Sequence, residues 1–203
     1  MKEKIHKLFA EWDETIIWSC LQGVMGEINT NSSEDAAMAI LGDFVFLAGT
    51  PSEELVKFKP KSCKQDFIIM VPQNKEWADL IEKCYKDKAK KVIRYAFEKE
   101  KDVFDTEKLN QVVAELTSDY KIKIIEEAEY NACRKNRWAN DLVSQYKDYN
   151  TYKKMGLGVV ILKDGDVVAG ASSYSTYDKG IEIEIDTKEG YRRKGLAYEV
   201  SGY

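Results

Sequence analysis

The segment between residues 156 and 187 constrains the fold of this chain more than any other part. Two runs rich in β-forming residues, GLGVVILK and DVVAGASSYS, are joined by Asp164-Gly165, a dipeptide typical of tight hairpin turns. A third run, IEIEIDT, alternates isoleucine with acidic residues, as a strand does when its two faces meet different surroundings. We therefore expect consecutive strands here, the last with a buried isoleucine face and an open acidic face.

The first half of the chain alternates between helical and strand patterns. Apolar residues recur at helical spacing in several segments, short apolar runs bounded by glycine or proline predict buried strands, and Asp35 is placed to cap a short helix over AAMAI. The predicted helices lie near residues 5–12, 16–21, 36–40, 75–85 and from 105 onward, and the predicted strands are GDFVFLAG (42–49), DFIIMVP (66–72) and KVIRYAFEK (91–99). This rhythm predicts an α/β fold.

A second unit begins near Asp119. The run YKIKIIEE predicts a strand, and the polar stretch of about 25 residues after it predicts a helix. Trp138, Leu142 and Tyr146 supply the apolar stripe of that helix. No repeat or flexible linker separates the two halves, so we predict an N-terminal α/β domain over residues 1–118 packed on a second domain over 119–203.

Charge and composition disfavour several classes of function. The net charge of −4 gives no overall positive field, so we expect no nucleic-acid partner. The four cysteines form no C-x-x-C pair and His6 is the single histidine, which argues against a zinc site, a Cys-His couple and a Ser-His-Asp triad. No apolar run has the length of a membrane span or the form of a signal peptide. We expect a cytoplasmic protein without a metal or a membrane partner.

The residues after the third strand carry the most chemical information. In IEIEIDTKEGYRRKGLAYEV, a strand leads into a polar turn, a basic loop with a glycine, and residues able to start a helix. The backbone amides from Arg193 to Ala197 are suited to an anion at such a junction, where Arg192, Arg193 and Lys194 add positive charge. Gly195 allows a ligand to approach the backbone closely. The alternative interpretation is a basic turn that only connects a strand to a helix.

The pattern Arg192-x-x-Gly195-x-Ala197 resembles the pyrophosphate loop of the GNAT (GCN5-related) acyl-CoA N-acyltransferases. The resemblance is tight over residues 156–198 and points to a bacterial subfamily with an extra N-terminal domain, to which the GDFVFLAG strand is similar. It implies an N-terminal α/β domain packed on a mixed sheet of the acyl-CoA N-acyltransferase fold. It also implies acetyl-CoA as the co-substrate and no metal.

The resemblance further implies roles for individual residues. By position in the motif, the backbone that contacts the CoA diphosphate is that of Arg193, Lys194, Gly195, Leu196, Ala197 and Tyr198, next to the motif residue Arg192. The main chain at the end of the strand would align the pantetheine arm, and this strand end consists of Ile185, Asp186 and Thr187. Unpaired N–H and C=O groups at a strand end can bind an extended ligand, which agrees with that role.

The candidate catalytic residues are carboxylates of the same strand. An amine that attacks a thioester must lose a proton, and a carboxylate can accept it. Glu182 and Glu184 share one strand face, and neighbouring carboxylates hinder each other's ionisation, which favours one of them as a base. The resemblance ranks Glu182 first, because related enzymes often carry a strand glutamate there. The alternative is that both are solvated surface residues.

Two classes of function stay open at this point. The first is an acetyl-CoA-dependent N-acetyltransferase that acts on the amine of an unknown small-molecule or peptide acceptor. Direct attack by the amine is favoured, since the sequence offers no Cys-His pair for a covalent enzyme intermediate. The second is a CoA-binding sensor or interaction module without turnover. The family continues beyond the loop with further helices and strands, whereas this sequence ends at Tyr203, so the resemblance implies a GNAT domain that is incomplete at its C-terminus.

Overall fold

The computed structural model describes residues 2–63, 65–95, 105–114 and 116–202. The chain forms two compact units, the first comprising residues 1–96 with 177–180 and the second 97–176 with 181–203. Both units combine helices with a sheet, as the α/β prediction requires. The division falls between residues 96 and 97 and not near residue 118, because the helix that follows residue 105 packs against the C-terminal helix of the second unit.

The first unit is built around a mixed sheet of the order β1-β2-β3-β4. The first three strands pair antiparallel, and β4 pairs parallel to β3, with a short helix in the crossover between them. The elements are α1 (Lys2–Leu8), α2 (Thr15–Gln22), β1 (Glu27–Thr30), β2 (Ala36–Leu41), β3 (Phe44–Gly49), α3 (Glu53–Lys57), β4 (Ile69–Pro72) and α4 (Lys75–Tyr85). The predicted helix at 75–85 is confirmed, and the predicted strands at 42–49 and 66–72 are present in shorter form as β3 and β4.

The segment AAMAI was wrongly predicted as a helix and is the central strand β2. All six residues of β2 are buried, and the strand pairs on both sides, with β1 and with β3. Alanine favours helices in isolation, but burial on both faces of a sheet outweighs that local preference. Asp35 therefore caps no helix; its backbone amide instead donates to the side-chain oxygen of Asn31.

The predicted strand at 91–99 is also wrong where it can be judged. Residues 91–95 form neither helix nor strand, and residues 96–99 lie outside the described residues. Val92, Ile93 and Tyr95 are all strongly exposed. An alternating pattern of apolar residues forms a strand only when a neighbouring strand accepts its hydrogen bonds, and this segment has none in the described part of the first unit.

The second unit contains a sheet of the order β5-β6-β7-β8. Strands β5, β6 and β7 pair antiparallel, and Asp164 and Gly165 turn β6 into β7 with positive φ angles of 52° and 86°, which confirms the predicted hairpin. The elements are α5 (Thr106–Ala114), β5 (Tyr120–Ile124), α6 (Glu127–Lys135), α7 (Tyr149–Met155), β6 (Gly158–Lys163), β7 (Asp166–Tyr177), β8 (Gly180–Thr187) and α8 (Leu196–Gly202).

The polar stretch after β5 is broken into two helices and is not the single helix that was predicted. Helix α6 ends at Lys135, and a short 3₁₀ turn over residues 140–142 precedes α7. Asp148 begins α7 as its N-cap, accepting a hydrogen bond from the Thr151 amide at 2.8 Å. Tyr146 of the predicted apolar stripe is still buried, because the irregular segment between the helices packs on the sheet.

Candidate functional site

A cavity of about 460 Å³ lies where β8 ends and the basic loop leads into α8. Every candidate cofactor residue lines it except Lys194. Tyr191 lines it as well and was not predicted, although it immediately precedes Arg192 in the sequence. The lining residues are Ile185, Asp186, Thr187, Tyr191, Arg192, Arg193, Gly195, Leu196, Ala197 and Tyr198. The residues predicted at the strand end and those predicted in the basic loop therefore line the same cavity.

The backbone of the loop presents amide groups at this cavity. Arg193 and Gly195 have positive φ angles of 58° and 85°. The amides of Tyr198 and Glu199 donate to the Gly195 carbonyl at 2.8 and 3.2 Å, so helical hydrogen bonding begins there. Within the described residues, the amides from Arg193 to Ala197 have no such acceptor. Residues in the left-handed conformation whose neighbouring amides have no hydrogen-bond acceptor form a concave nest of N–H groups, and such a nest is suited to an anion.

Gly195 shows why a glycine is needed at this position. A Cβ on Gly195 would meet no atom within 4 Å, so no neighbouring side chain excludes a larger residue. The positive φ angle favours glycine, and the open space leaves room for a ligand to approach the backbone. The cavity therefore fits a ligand that touches the main chain at Gly195.

The loop is fixed to the end of β8 by Arg192. The Nε atom of Arg192 donates to the Thr187 carbonyl at 3.1 Å, and its guanidinium lies 4.0 Å from the Asp186 carboxylate. The ammonium groups of Lys188 and Lys194 lie over the Tyr191 ring, 5.9 and 4.8 Å from its centroid. Arg192 therefore shapes the loop, and the lysines add positive charge beside it.

Thr187 contributes a buried polar atom to the cavity. Thr187 is only 9% exposed, and its Oγ1 atom has no hydrogen-bond partner among the described residues. Its backbone amide donates to the Asp186 carboxylate at 2.6 Å. A buried hydroxyl without a partner is costly, so its place in the cavity wall favours a ligand that supplies a hydrogen bond.

The prediction of a buried isoleucine face and an open acidic face on β8 is wrong. Ile181, Ile183 and Ile185 are 38%, 59% and 42% exposed, whereas Glu182 and Glu184 are half-buried. The strand stands at the end of the sheet order, and α8 packs on the neighbouring β6 and β7. Helix α8 therefore leaves the isoleucine face of β8 open, and the acidic face is the more enclosed one.

The acidic face of β8 meets buried hydroxyl groups on β7. The Ser175 hydroxyl donates to Glu182 Oε2 at 3.3 Å, and Ser175 is fully buried. On the same strand, Ser173 lies 2.6 Å from the Tyr146 hydroxyl, and burial raises the pKa of Tyr146. Glu182 and Glu184 thus lie on one face, as predicted. The serine neighbours were not predicted, because only the register between β7 and β8 brings them together.

The described residues show neither a metal centre nor a membrane span. Nowhere in the described ranges do three or more His, Cys, Asp or Glu side chains gather as a metal site would require. No helix among these residues has the length and apolar character needed to cross a bilayer. All four cysteines are unpaired, and burial raises the pKa of Cys20 to about 11 and that of Cys133 to about 12.

The chain is similar in sequence and in structure to a protein of solved structure. A crystal structure of a GCN5-related N-acetyltransferase-like protein from Streptococcus suis is 42% identical, with a TM-score of 0.91 over 99% of this chain and 81% of that chain. A GCN5-related N-acetyltransferase from Kribbella flavida is 24% identical over 45% of this chain and 36% of that chain, but its TM-score of 0.35 supports no conclusion. No curated protein matches the chain.

The match to a protein family covers almost the whole sequence. The family described as GNAT acetyltransferase matches residues 6–202, a range that includes elements of both compact units. The high TM-score to the Streptococcus suis structure confirms the predicted α/β fold of the acyl-CoA N-acyltransferase type. The chain belongs to the GNAT acetyltransferase family.

Proposed function

We propose that the chain is an acetyl-CoA-dependent N-acetyltransferase that acts on the amine of an acceptor still to be identified. The observation that carries the proposal is the cavity at the end of β8, where a strand end, a buried hydroxyl and a nest of amides face one space. A diphosphate with an extended arm has the matching chemistry, with acceptor oxygens at one end and amide groups along the arm. Family membership supports the same co-substrate.

The cavity residues suit the two halves of CoA differently. The amides of Arg193, Gly195 and Ala197 donate no backbone hydrogen bond within the described residues and suit the diphosphate oxygens, and the side chains of the basic loop lower the cost of bringing negative charge there. The main chain at Ile185 and the Thr187 hydroxyl suit the pantetheine arm. Arg192 holds these two parts of the site together through its bond to the Thr187 carbonyl.

Glu182 is the base that best fits direct attack. Acetyl-CoA supplies an activated acyl group as its thioester. The half-buried Glu182 accepts the proton that the acceptor nitrogen loses as it bonds to the acyl carbon. The C–S bond then breaks and releases CoA as its thiolate, which takes a proton from water. Glu184 lies on the same face and is the second candidate. The Ser175 hydroxyl bonded to Glu182 stabilises the ionised form that a base requires.

The acceptor and the cellular location belong to the same proposal. The acceptor is a small-molecule or peptide amine, and the net charge of −4 gives no support to a nucleic-acid partner. Four unpaired cysteines, two of them with strongly raised pKa values, support a reducing compartment such as the cytoplasm.

The roles of the two glutamates are tested by Glu182→Gln and Glu184→Gln. Each variant keeps the side-chain shape and removes the proton acceptor. With a panel of amines and a colorimetric assay for released CoA thiol, we expect Glu182→Gln to lower kcat by about 100-fold while CoA affinity is retained. Glu184→Gln serves as the matched control. Equal activity of both variants and the wild type would contradict the base assignment. Tight CoA binding by the wild type without turnover of any amine would favour a CoA-binding module.

A further inference from the structure

Ser175 links the candidate base to the neighbouring strand of the sheet. Ser175 lies on β7, is fully buried, and donates its hydroxyl to Glu182 Oε2 at 3.3 Å. A serine has a single O–H donor, so this bond uses the only proton that the side chain offers. Ser175 is absent from the buried side chains that lack a partner, which means that its hydroxyl is satisfied where it stands.

The surroundings of Ser175 restrict where its hydroxyl can point. Ser173 lies two residues earlier on the same face of β7. Its hydroxyl is hydrogen-bonded to the Tyr146 hydroxyl and accepts a hydrogen bond from the Leu157 amide. Thr176, the following residue, donates to the Met155 carbonyl. The neighbouring polar groups of β7 are thus held by the segment that precedes β6, and Ser175 is the member of this set that faces β8 and its carboxylate.

A donor at Glu182 has two consequences for a base. It stabilises the ionised carboxylate, so Glu182 stays ready to accept a proton at lower pH. It also restricts the rotation of a side chain on a strand at the end of the sheet, and misplacement of a catalytic group by even 1 Å is costly to the rate. The other titratable groups on this face are Glu184 and Asp186 on β8, Tyr177 two residues after Ser175 on β7, and Tyr146 through its bond to Ser173.

We propose that Ser175 is the positioning residue of the candidate base: its buried hydroxyl holds the Glu182 carboxylate in place and in its ionised form. The proposal rests on the proposed function, because it takes Glu182 as the base. We assign Ser175 no contact with the acceptor or the co-substrate. Its effect on the reaction is transmitted through Glu182 alone.

The test compares Ser175→Ala with Ser172→Ala. Ser172 is a matched control because it is also buried on β7 and bonded through its hydroxyl, but its partners are the Tyr152 hydroxyl at 2.9 Å and the Leu157 carbonyl at 3.3 Å. Carboxyl ¹³C NMR of glutamate-labelled protein follows the titration of Glu182, which is assigned through the signal lost in Glu182→Gln. We expect Ser175→Ala to move this titration upward by about 0.5 to 1 pH unit and Ser172→Ala to leave it unchanged.

A double-mutant cycle supplies the second readout. With an amine from the acceptor panel, we expect Ser175→Ala to lower kcat about tenfold in the wild-type background and less than twofold in the Glu182→Gln background. CoA affinity should be unchanged in every variant. An unmoved Glu182 titration in Ser175→Ala, or an equal loss of rate in both backgrounds, would overturn the proposal.

Failure of the proposed function and failure of the positioning role of Ser175 give different results. If the wild type fails to bind CoA, the proposed function fails, whatever Ser175 does to Glu182. If the wild type binds CoA and the Glu182 titration does not respond to Ser175→Ala, only the positioning role fails. If alanine at position 175 prevents folding, Ser175→Cys keeps the side-chain size with a much weaker donor, and we expect it to shift the titration in the same direction.

Discussion

Gly195 offers the clearest way to separate a phosphate-binding loop from a simple connector. Its φ angle is +85°, and a Cβ built on it meets no atom within 4 Å. Gly165, in the turn between β6 and β7, shares both properties, with a φ angle of +86° and open space around the Cβ position. Gly165 is not among the residues that line the cavity at the end of β8. The two glycines therefore form a matched pair.

Glutamate at either position has the same structural cost but a different effect on CoA. Each change places an L-residue in a left-handed conformation, which we expect to lower the free energy of unfolding by about 1–2 kcal/mol. At position 195 the new carboxylate also stands beside the diphosphate. If the two negative charges of the diphosphate lie about 6 Å from this carboxylate in water, Coulomb's law gives a repulsion of about 1.4 kcal/mol. That repulsion lowers the affinity for CoA by a factor of about ten. A lower local dielectric would enlarge this loss.

The assay is isothermal titration of each variant with CoA, accompanied by urea unfolding. We expect Gly195→Glu to weaken CoA binding at least tenfold and Gly165→Glu to change it less than about twofold, with similar losses of stability in both. Equal CoA affinities for the two glutamate variants, both folded, would contradict a role of this loop in binding the diphosphate. The loop at Gly195 would then be a connector only.

Two further predictions concern stability. Trp77 of α4 is fully buried and donates its indole N–H to the Gly49 carbonyl at 2.8 Å. Trp77→Ala should therefore lower the free energy of unfolding of the first unit by about 3–5 kcal/mol, and Trp77→Phe should lower it by less. Equal urea midpoints for the wild type and Trp77→Ala would contradict this core assignment. Burial raises the pKa of Cys20 to about 11 and that of Cys133 to about 12, from an ordinary value of 9.0. Above pH 9 the unfolded chain releases these protons and the folded chain keeps them, so the free energy of unfolding should fall as pH rises, by about 1.4 kcal/mol per thiol at pH 10. Urea unfolding between pH 8 and pH 10 checks the sign, and replacement of both cysteines by alanine should reduce the slope.

The parts of the fold that were predicted correctly are those specified by neighbouring residues. The hairpin at Asp164-Gly165 requires two adjacent residues with positive φ, and both the residue types and the flanking strands are visible in the sequence. The cavity at the end of β8 is also local, because a strand, a loop and a helix start follow one another within residues 185–198. Such features depend little on the rest of the chain.

The features that were missed depend on distant parts of the chain. The strand β2 was predicted as a helix because its alanines favour one, and only pairing with both β1 and β3 makes it a strand. The open isoleucine face of β8 depends on where α8 packs, which the alternation of residues does not reveal. Alternation identifies the two faces of a strand but not which of them is covered.

The buried hydroxyls beside Glu182 were missed for a related reason. Ser173 and Ser175 belong to the run GASSYS, which looks like an ordinary polar end of a strand. Their importance arises from the pairing of β7 with β8 and from Tyr146, which approaches from an irregular segment predicted as part of a long helix. Burial of polar groups is a tertiary property, and a sequence pattern carries little signal for it.

We expect the cavity at the end of β8 to bind both the diphosphate and the arm of CoA. The most direct measurement is isothermal titration of the protein with CoA and, in parallel, with pantetheine, which has the arm but lacks the diphosphate. We expect one CoA site with an affinity at least tenfold above that of pantetheine, because the amides from Arg193 to Ala197 would find a partner only in CoA. Equal affinities for CoA and pantetheine, or no binding of CoA at all, would contradict this assignment of the cavity.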